Sequence, residues 1–342
     1  MKYINAKELG IMGKAFPNAP EYTRLEEKDK LSIEKVNPNV ASLSADSAGL
    51  HIDFSTTSKR IVIRWSVKEN VIWSAITGLA INGIDAYIKT DSKWTFLTNL
   101  YPNEQSSSHE CEIMNRETFE TYGTECPSYS LNLTYSNEIT SVEIGIEDDS
   151  QISLCPMNQE KPIVAYGTSI CHGYYVSRPG LVYSNQLRRM LNQEVCNLGF
   201  SGSAKSEPEM TDILCRLDPK IMIFDPIPNM AYEKMEPNFT YFYTNFRKNH
   251  STTPIIFMEQ ADYLEDHTKT NIYRTSNGET AKNKILEKLF AEWSKKDKNI
   301  YLLTSDVLYT DYEETFDGLH PNDTGATRLA KSLAKLIATI KL

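Results

Sequence analysis

The stretch Pro162-Ile163-Val164-Ala165-Tyr166-Gly167-Thr168-Ser169 decides the fold. An apolar run this short and this continuous reads as a strand buried on both faces, the kind found in parallel sheets covered by helices. Gly167-Thr168-Ser169 is then a turn leaving the carboxyl edge of the sheet, where α/β proteins gather their ligands.

Downstream the pattern recurs. Lys220-Ile221-Met222-Ile223-Phe224, Pro254-Ile255-Ile256-Phe257-Met258 and Asn299-Ile300-Tyr301-Leu302-Leu303 are strands of the same type, and Glu194-Val195-Cys196-Asn197 is a shorter one. Helical spacing is found near 183–191, 207–217, 240–249, 279–296 and 323–340. This alternation predicts a parallel sheet with helices on both faces, a flavodoxin-like three-layer α/β/α domain.

Upstream the period changes to two. Arg60 to Val67, Ser128 to Tyr135 and Ser141 to Glu147 alternate apolar and polar residues, as half-buried strands do. Ala86-Tyr87-Ile88-Lys89 and Lys93-Trp94-Thr95-Phe96-Leu97 flank Thr90-Asp91-Ser92 as a hairpin. Short strands without helices between them predict an antiparallel β-sandwich of jelly-roll type. The expected boundary is near Cys155-Pro156, giving a sandwich over 1–155 and the α/β domain over 156–342. Trp65, Trp73, Tyr87 and Trp94 fit either the sandwich core or a sugar-stacking platform.

The 342 residues, 40% hydrophobic and 24% charged, describe a globular chain with room for two cores. Its net charge of −9 argues against nucleic-acid and acidic-lipid partners, which need concentrated Lys and Arg. The six cysteines form no CxxC pair, so neither a zinc ribbon nor a dense disulfide framework is expected. Met1 to Glu8 has no apolar signal core, and no run approaches a membrane span; a soluble chain is expected.

Ser169 stands where a nucleophile would be exposed, but a serine hydroxyl needs a base, and the base needs an orienting carboxylate. Among the six histidines, only His320 has an aspartate three residues earlier, in Asp317-Gly318-Leu319-His320. One tight turn there brings the carboxylate to Nδ1 and leaves Nε2 for Ser169. An oxyanion needs donors. Gly202, in the loop after the second strand, and Asn229, after the third, are placed to join the Ser169 N–H. His172 is a candidate for the mouth of the site or a rival base. Arg178 is a candidate contact for an anionic or sugar group, with a loop salt bridge as the alternative. Neither metal nor organic cofactor is needed for such chemistry.

The order Gly-x-Ser, Asn197-Leu198-Gly199-Phe200-Ser201-Gly202, Asn229 and Asp317-x-x-His320 resembles the SGNH (GDSL-like) hydrolase superfamily. Ser177-Arg178-Pro179-Gly180, Glu207-Pro208-Glu209 and Pro228-Asn229-Met230 resemble its two-domain bacterial branch. There a sandwich with a Gly-x-Asp-Leu-Tyr motif precedes the hydrolase, and Gly83-Ile84-Asp85-Ala86-Tyr87 is similar except at Ala86. The resemblance implies Ser169 as nucleophile, His320 as base, Asp317 as its orienter, and Gly202 and Asn229 as oxyanion donors. Thr168 departs from it, standing where many members carry Asp. The resemblance further implies a small-molecule or glycan ester substrate, chiefly O-acetyl groups on carbohydrate, and export to the periplasm or cell surface, with the cytoplasm left open. A lipase, thioesterase or acyltransferase would share every motif. A carbohydrate-binding protein with an inactive hydrolase domain is the alternative of another class.

Overall fold

The computed structural model describes residues 1–90, 93–122, 126–155, 160–261, 279–308 and 311–341. Asp91 and Ser92 of the expected hairpin turn, and Pro156 at the expected domain boundary, lie outside the described residues.

The first part carries strands β1 (Lys2–Asn5), β2 (His51–Thr56), β3 (Ile61–Val67), β4 (Ile84–Thr90), β5 (Lys93–Leu100), β6 (Ser108–Met114), β7 (Ser128–Asn132), β8 (Ile139–Ile146) and β9 (Ile152–Leu154). They form two antiparallel sheets, ordered β1-β8-β3-β6 and β5-β4-β7-β2-β9. Between the sheets pack Ile52, Phe54, Ile63, Trp65, Ile84, Leu131 and Val142, the inward members of the period-two runs. Trp65 is therefore core, and its indole N–H donates to Asn82 O at 2.7 Å.

The second part carries β10 (Ile163–Gly167), β11 (Val195–Gly199), β12 (Ile221–Asp225), β13 (Ile255–Met258) and β14 (Ile300–Leu303). All pair in parallel, in the order β11-β10-β12-β13-β14. This is the flavodoxin-like order, whose switch point lies where the chain reverses direction around β10. Successive residues feed opposite cores. Val164, Tyr166, Met222 and Phe224 join one cluster, while Ile163, Ala165, Ile221 and Ile223 join the other. Both faces are covered, which explains the unbroken apolar runs.

Helices Tyr183–Leu191 and Asp323–Ile337 cover one face, and Pro208–Leu214, Tyr232–Asn249 and Glu279–Trp293 the other. Tyr232–Asn249 begins two turns before the expected 240, running through Pro237. Proline normally interrupts helical periodicity, which concealed that start.

Within the segment before residue 50, expected as part of the sandwich over 1–155, the chain also forms helices Glu27–Glu34 and Pro38–Leu43. Their Ile33 and Val40, with Phe16 and Leu25, pack into the same cluster as Val164 and Leu198 of the parallel sheet. Buried Arg24 donates to Gly199 O at 2.5 Å and to Asp46 O at 2.9 Å. The N-terminal arm thus braces the end of β11. Arg188 donates to Asp53 Oδ2 at 2.9 Å, and His51 lies 2.9 Å from Glu194, so buried charges of the two parts neutralise one another.

Candidate active site

Ser169 follows β10 after the single residue Thr168 and opens the short helix Ser169–His172. The Thr168 hydroxyl oxygen accepts the Ile170 N–H at 3.4 Å, capping the helix from the position where many members of the resembling superfamily carry Asp. The Ser169 N–H, in the first turn, has no intrahelical acceptor.

Asp317, Gly318, Leu319 and His320 form a closed turn. Phe316 N–H donates to His320 O at 2.8 Å, and Thr315 bridges to Pro321. Gly318 has φ +82°, a conformation that a Cβ would strain, so glycine allows the chain to reverse in so few residues. Within the turn Asp317 Oδ1 accepts the N–H groups of Leu319 at 3.0 Å and His320 at 2.8 Å. Asp317 Oδ2 lies 2.9 Å from His320 Nδ1. A carboxylate there fixes the proton on Nδ1 and leaves Nε2 as an acceptor. His320 Nε2 lies 2.9 Å from the Ser169 hydroxyl, which is oriented to donate to it. Burial pushes the Asp317 carboxyl up, but the hydrogen bond and charge of His320, with the two N–H donors, outweigh this and hold it below its ordinary range.

Gly202 lies in the turn after β11, with open space where a side chain would stand. Asn229 ends the short 3-10 helix Ile227–Asn229 after β12. Its side-chain oxygen is buried and finds no hydrogen-bond partner among the described residues.

The other two candidates are placed differently. His172 is fully buried: Nε2 lies 2.6 Å from Tyr135 O and 3.4 Å from Asp46, and Nδ1 accepts the Ser201 N–H at 3.3 Å. Both nitrogens are engaged in joining the Ser169 helix to its neighbours, which leaves no face for substrate or for the serine proton. The Arg178 guanidinium is held by Asp85 at 2.5 Å and the Tyr87 hydroxyl at 2.8 Å, across the two parts of the chain. It takes the loop salt-bridge alternative. Gly180 N–H donates to the same Asp85 oxygen at 2.8 Å, and a Cβ on Gly180 would meet that oxygen at 2.5 Å, so only glycine permits the approach.

Four features were not anticipated from the sequence. Asn197 Oδ1 accepts the Gly199 N–H at 2.8 Å, while its amide donates to Cys171 O at 2.6 Å and Ser184 at 2.9 Å, fastening the loop after β11 to the Ser169 helix. Its place in the Asn197 to Gly202 run was the available signal. Tyr175 packs against His320, with ring centroids 4.6 Å apart, and stacks on Phe316. Nothing periodic marks these two aromatics. Beside them a cleft of about 410 Å³ runs between Ile76 and Thr77 of the sandwich and Tyr175, Ser177, Phe316 and Asp323. Asp225, at the end of β12, is buried, and burial drives its carboxyl well above the ordinary range.

Residues 160–338 match the model of the GDSL-like Lipase/Acylhydrolase family, and residues 1–152 match the N-terminus of Esterase_SGNH_hydro-type proteins. The chain belongs to the GDSL-like lipase/acylhydrolase family. A protein from Bacteroides ovatus ATCC 8483 described as a GDSL-like lipase is 32% identical, with a TM-score of 0.87 over 98% of this chain and 97% of that one. A salicylyl-acyltransferase from a tetracycline biosynthetic pathway is 15% identical, with a TM-score of 0.67 over 92% and 88%. A family two carbohydrate esterase from Cellvibrio japonicus is 11% identical, with a TM-score of 0.60 over 98% and 96%. At such identities the last two share the fold alone. No curated protein sequence matches the chain. Membership of the GDSL-like family makes the protein an esterase or acylhydrolase. Among the described residues there is no group of three or more His, Cys, Asp or Glu that could hold a metal ion, and no helix is long and apolar enough to cross a membrane.

Proposed function

We propose that this protein is a serine carboxylic-ester hydrolase that removes small acyl groups, chiefly O-acetyl, from carbohydrates through an acyl-enzyme. The observation that carries the reading is the continuous hydrogen-bonded chain from the Ser169 hydroxyl through His320 to Asp317. Ser169 Oγ attacks the ester carbonyl carbon while His320 Nε2 takes its proton. The N–H groups of Ser169 and Gly202 and the side-chain amide of Asn229 receive the oxyanion. As the tetrahedral intermediate collapses, His320 returns the proton to the leaving alcohol. Water, activated by the same nitrogen, then releases the acid.

Because the proton reaches the alcohol from His320, the alcohol must lie on the His320 side of Ser169. We assign the alcohol to the cleft lined by Tyr175 and Phe316, which is walled on one edge by Ile76 and Thr77 of the sandwich, because the Tyr175 ring packs on His320. An aromatic and polar lining suits the mixed CH and hydroxyl faces of a sugar ring. The carbohydrate esterases sharing the fold point the same way, and polymeric glycans as substrates favour a periplasmic or surface location. In this reading residues 1–155 act as a sandwich unit serving the hydrolase unit 156–342.

The test compares acetate release from acetylated oligosaccharides with hydrolysis of simple acyl esters of increasing chain length, for the intact protein and Ser169→Ala. Acetate release lost in Ser169→Ala supports the reading. Turnover rising with acyl length would replace acetyl by a lipid-like substrate, transfer to an added alcohol in preference to water would make the protein an acyltransferase, and activity retained in Ser169→Ala would overturn the nucleophile.

A further inference from the structure

We infer that Tyr175 is a positioning residue for His320, holding the imidazole toward Ser169. The inference rests on the reading of His320 as the base. The Tyr175 and His320 ring centroids are 4.6 Å apart at an interplanar angle of 48°, and Tyr175 stacks on Phe316 at 4.6 Å and 14°. Tyr175 is thus inserted between two side chains of the same Thr315 to Pro321 loop. This contact limits how the imidazole can rotate away from Ser169.

The backbone gives an independent reason. Tyr175 has φ +72°, one of three non-glycine residues with positive φ among those described. A bulky residue in that region is strained and persists only where its surroundings dictate it. The neighbours on both sides are anchored. Tyr174 is buried and its hydroxyl accepts from Ser136 at 3.1 Å, while Ser177 N–H and Oγ both donate to Asp323 at 2.7 Å. Glycine would occupy the position without strain, yet a tyrosine stands there with its ring against the base.

The chemistry explains what the ring adds. When His320 accepts the Ser169 proton it becomes an imidazolium, and an aromatic ring attracts a cation more than a neutral ring. The attraction therefore grows toward the transition state, which is the condition for it to raise the rate. The titratable groups facing His320 are Asp317 on its own turn and Ser169 on the helix after β10; Tyr174 and Asp323 adjoin the Tyr175 segment.

The experiment measures kcat, KM and thermal stability for Tyr175→Phe, Tyr175→Leu and Tyr175→Gly in the full chain. Tyr175→Phe, which keeps the ring, is expected to match the wild type. Tyr175→Leu and Tyr175→Gly are expected to lose about tenfold in kcat with KM changed little, because the imidazole is no longer held toward Ser169 and the imidazolium formed in turnover has lost its ring. In Tyr175→Gly the relieved φ offsets part of the packing lost with the ring, so the rates are compared well below each variant's unfolding midpoint, where a loss of rate is not a loss of fold. A loss confined to KM would make Tyr175 a wall of the substrate cleft and overturns the inference, as does an unchanged rate or an equal loss of kcat in Tyr175→Phe. Ser169→Ala in the same assay separates the two levels: if it stays active, the reading of the site has failed, whatever the Tyr175 series does.

Discussion

Arg178 reaches from the loop after the Ser169 helix to Asp85 of β4, placing its guanidinium 2.5 Å from a carboxylate that is wholly buried. Asn132 donates to the other Asp85 oxygen at 2.8 Å, and Gly180 N–H to the shared one. Asp85→Ala removes the acceptor for all three donors and is expected to cost about 3–5 kcal/mol in urea unfolding, because it strands a partly buried cation. Arg178→Ala is expected to cost less, since the carboxylate keeps two donors. In the double variant the losses should fall short of the sum. Strict additivity would show that the contact is not energetically coupled.

This clamp also shows where the sequence stopped being informative. Asp85 and Arg178 were each visible as polar residues in motifs, but their contact spans the chain and arises only when the sandwich meets the α/β layer. His172 was opaque for the same reason, since its partners Tyr135, Asp46 and Ser201 come from three separate segments. Ser169, Asp317 and His320 were legible because each is fixed locally, by a turn after an apolar strand and by a three-residue spacing inside one loop. The strands were legible because burial writes its period directly into the residues. The helices at 27–43 carry no such mark: Glu27–Glu34 has only Asp29 and Ile33 buried.

The two histidines near Ser169 should separate cleanly on mutation. His320→Ala is expected to lower kcat by roughly 10³-fold or more with little change in unfolding midpoint, as for a base removed from a nucleophile pair. His172→Ala should do the reverse: it leaves the Tyr135 carbonyl and Ser201 N–H buried without their partner, a loss on the order of 1–3 kcal/mol seen in urea unfolding. If His172→Ala abolished turnover in a protein of unchanged stability, the base would have to be reassigned.

Asn229 supplies the test of the oxyanion pocket. Its side chain ends a 3-10 helix, and its buried oxygen lacks a partner among the described residues. Asn229→Ala is expected to reduce kcat by about 10²-fold to 10³-fold with KM changed little, because the developing oxyanion exists only beyond the ground state. An effect on KM alone would mean that Asn229 binds substrate without stabilising the transition state.

Asp225 offers a prediction about stability and pH. Its carboxyl is buried, Oδ2 has no hydrogen-bond partner among the described residues, and burial drives its proton affinity well above the ordinary range. A group that binds its proton more tightly when folded adds stability that is complete below its unfolded pKa, near 4, and is lost as pH rises toward its folded value. Asn has no proton to lose. Asp225→Asn does carry a fixed cost from its extra N–H donors, but that cost is the same at every pH. The variant should therefore gain on the wild type as pH is raised from about 4 to about 8, whatever its standing at the lower pH. Urea unfolding at both pH values checks this through the difference of differences, which cancels the fixed cost. A gap between variant and wild type that stays constant with pH would show that Asp225 ionises in the folded protein as readily as in the unfolded chain.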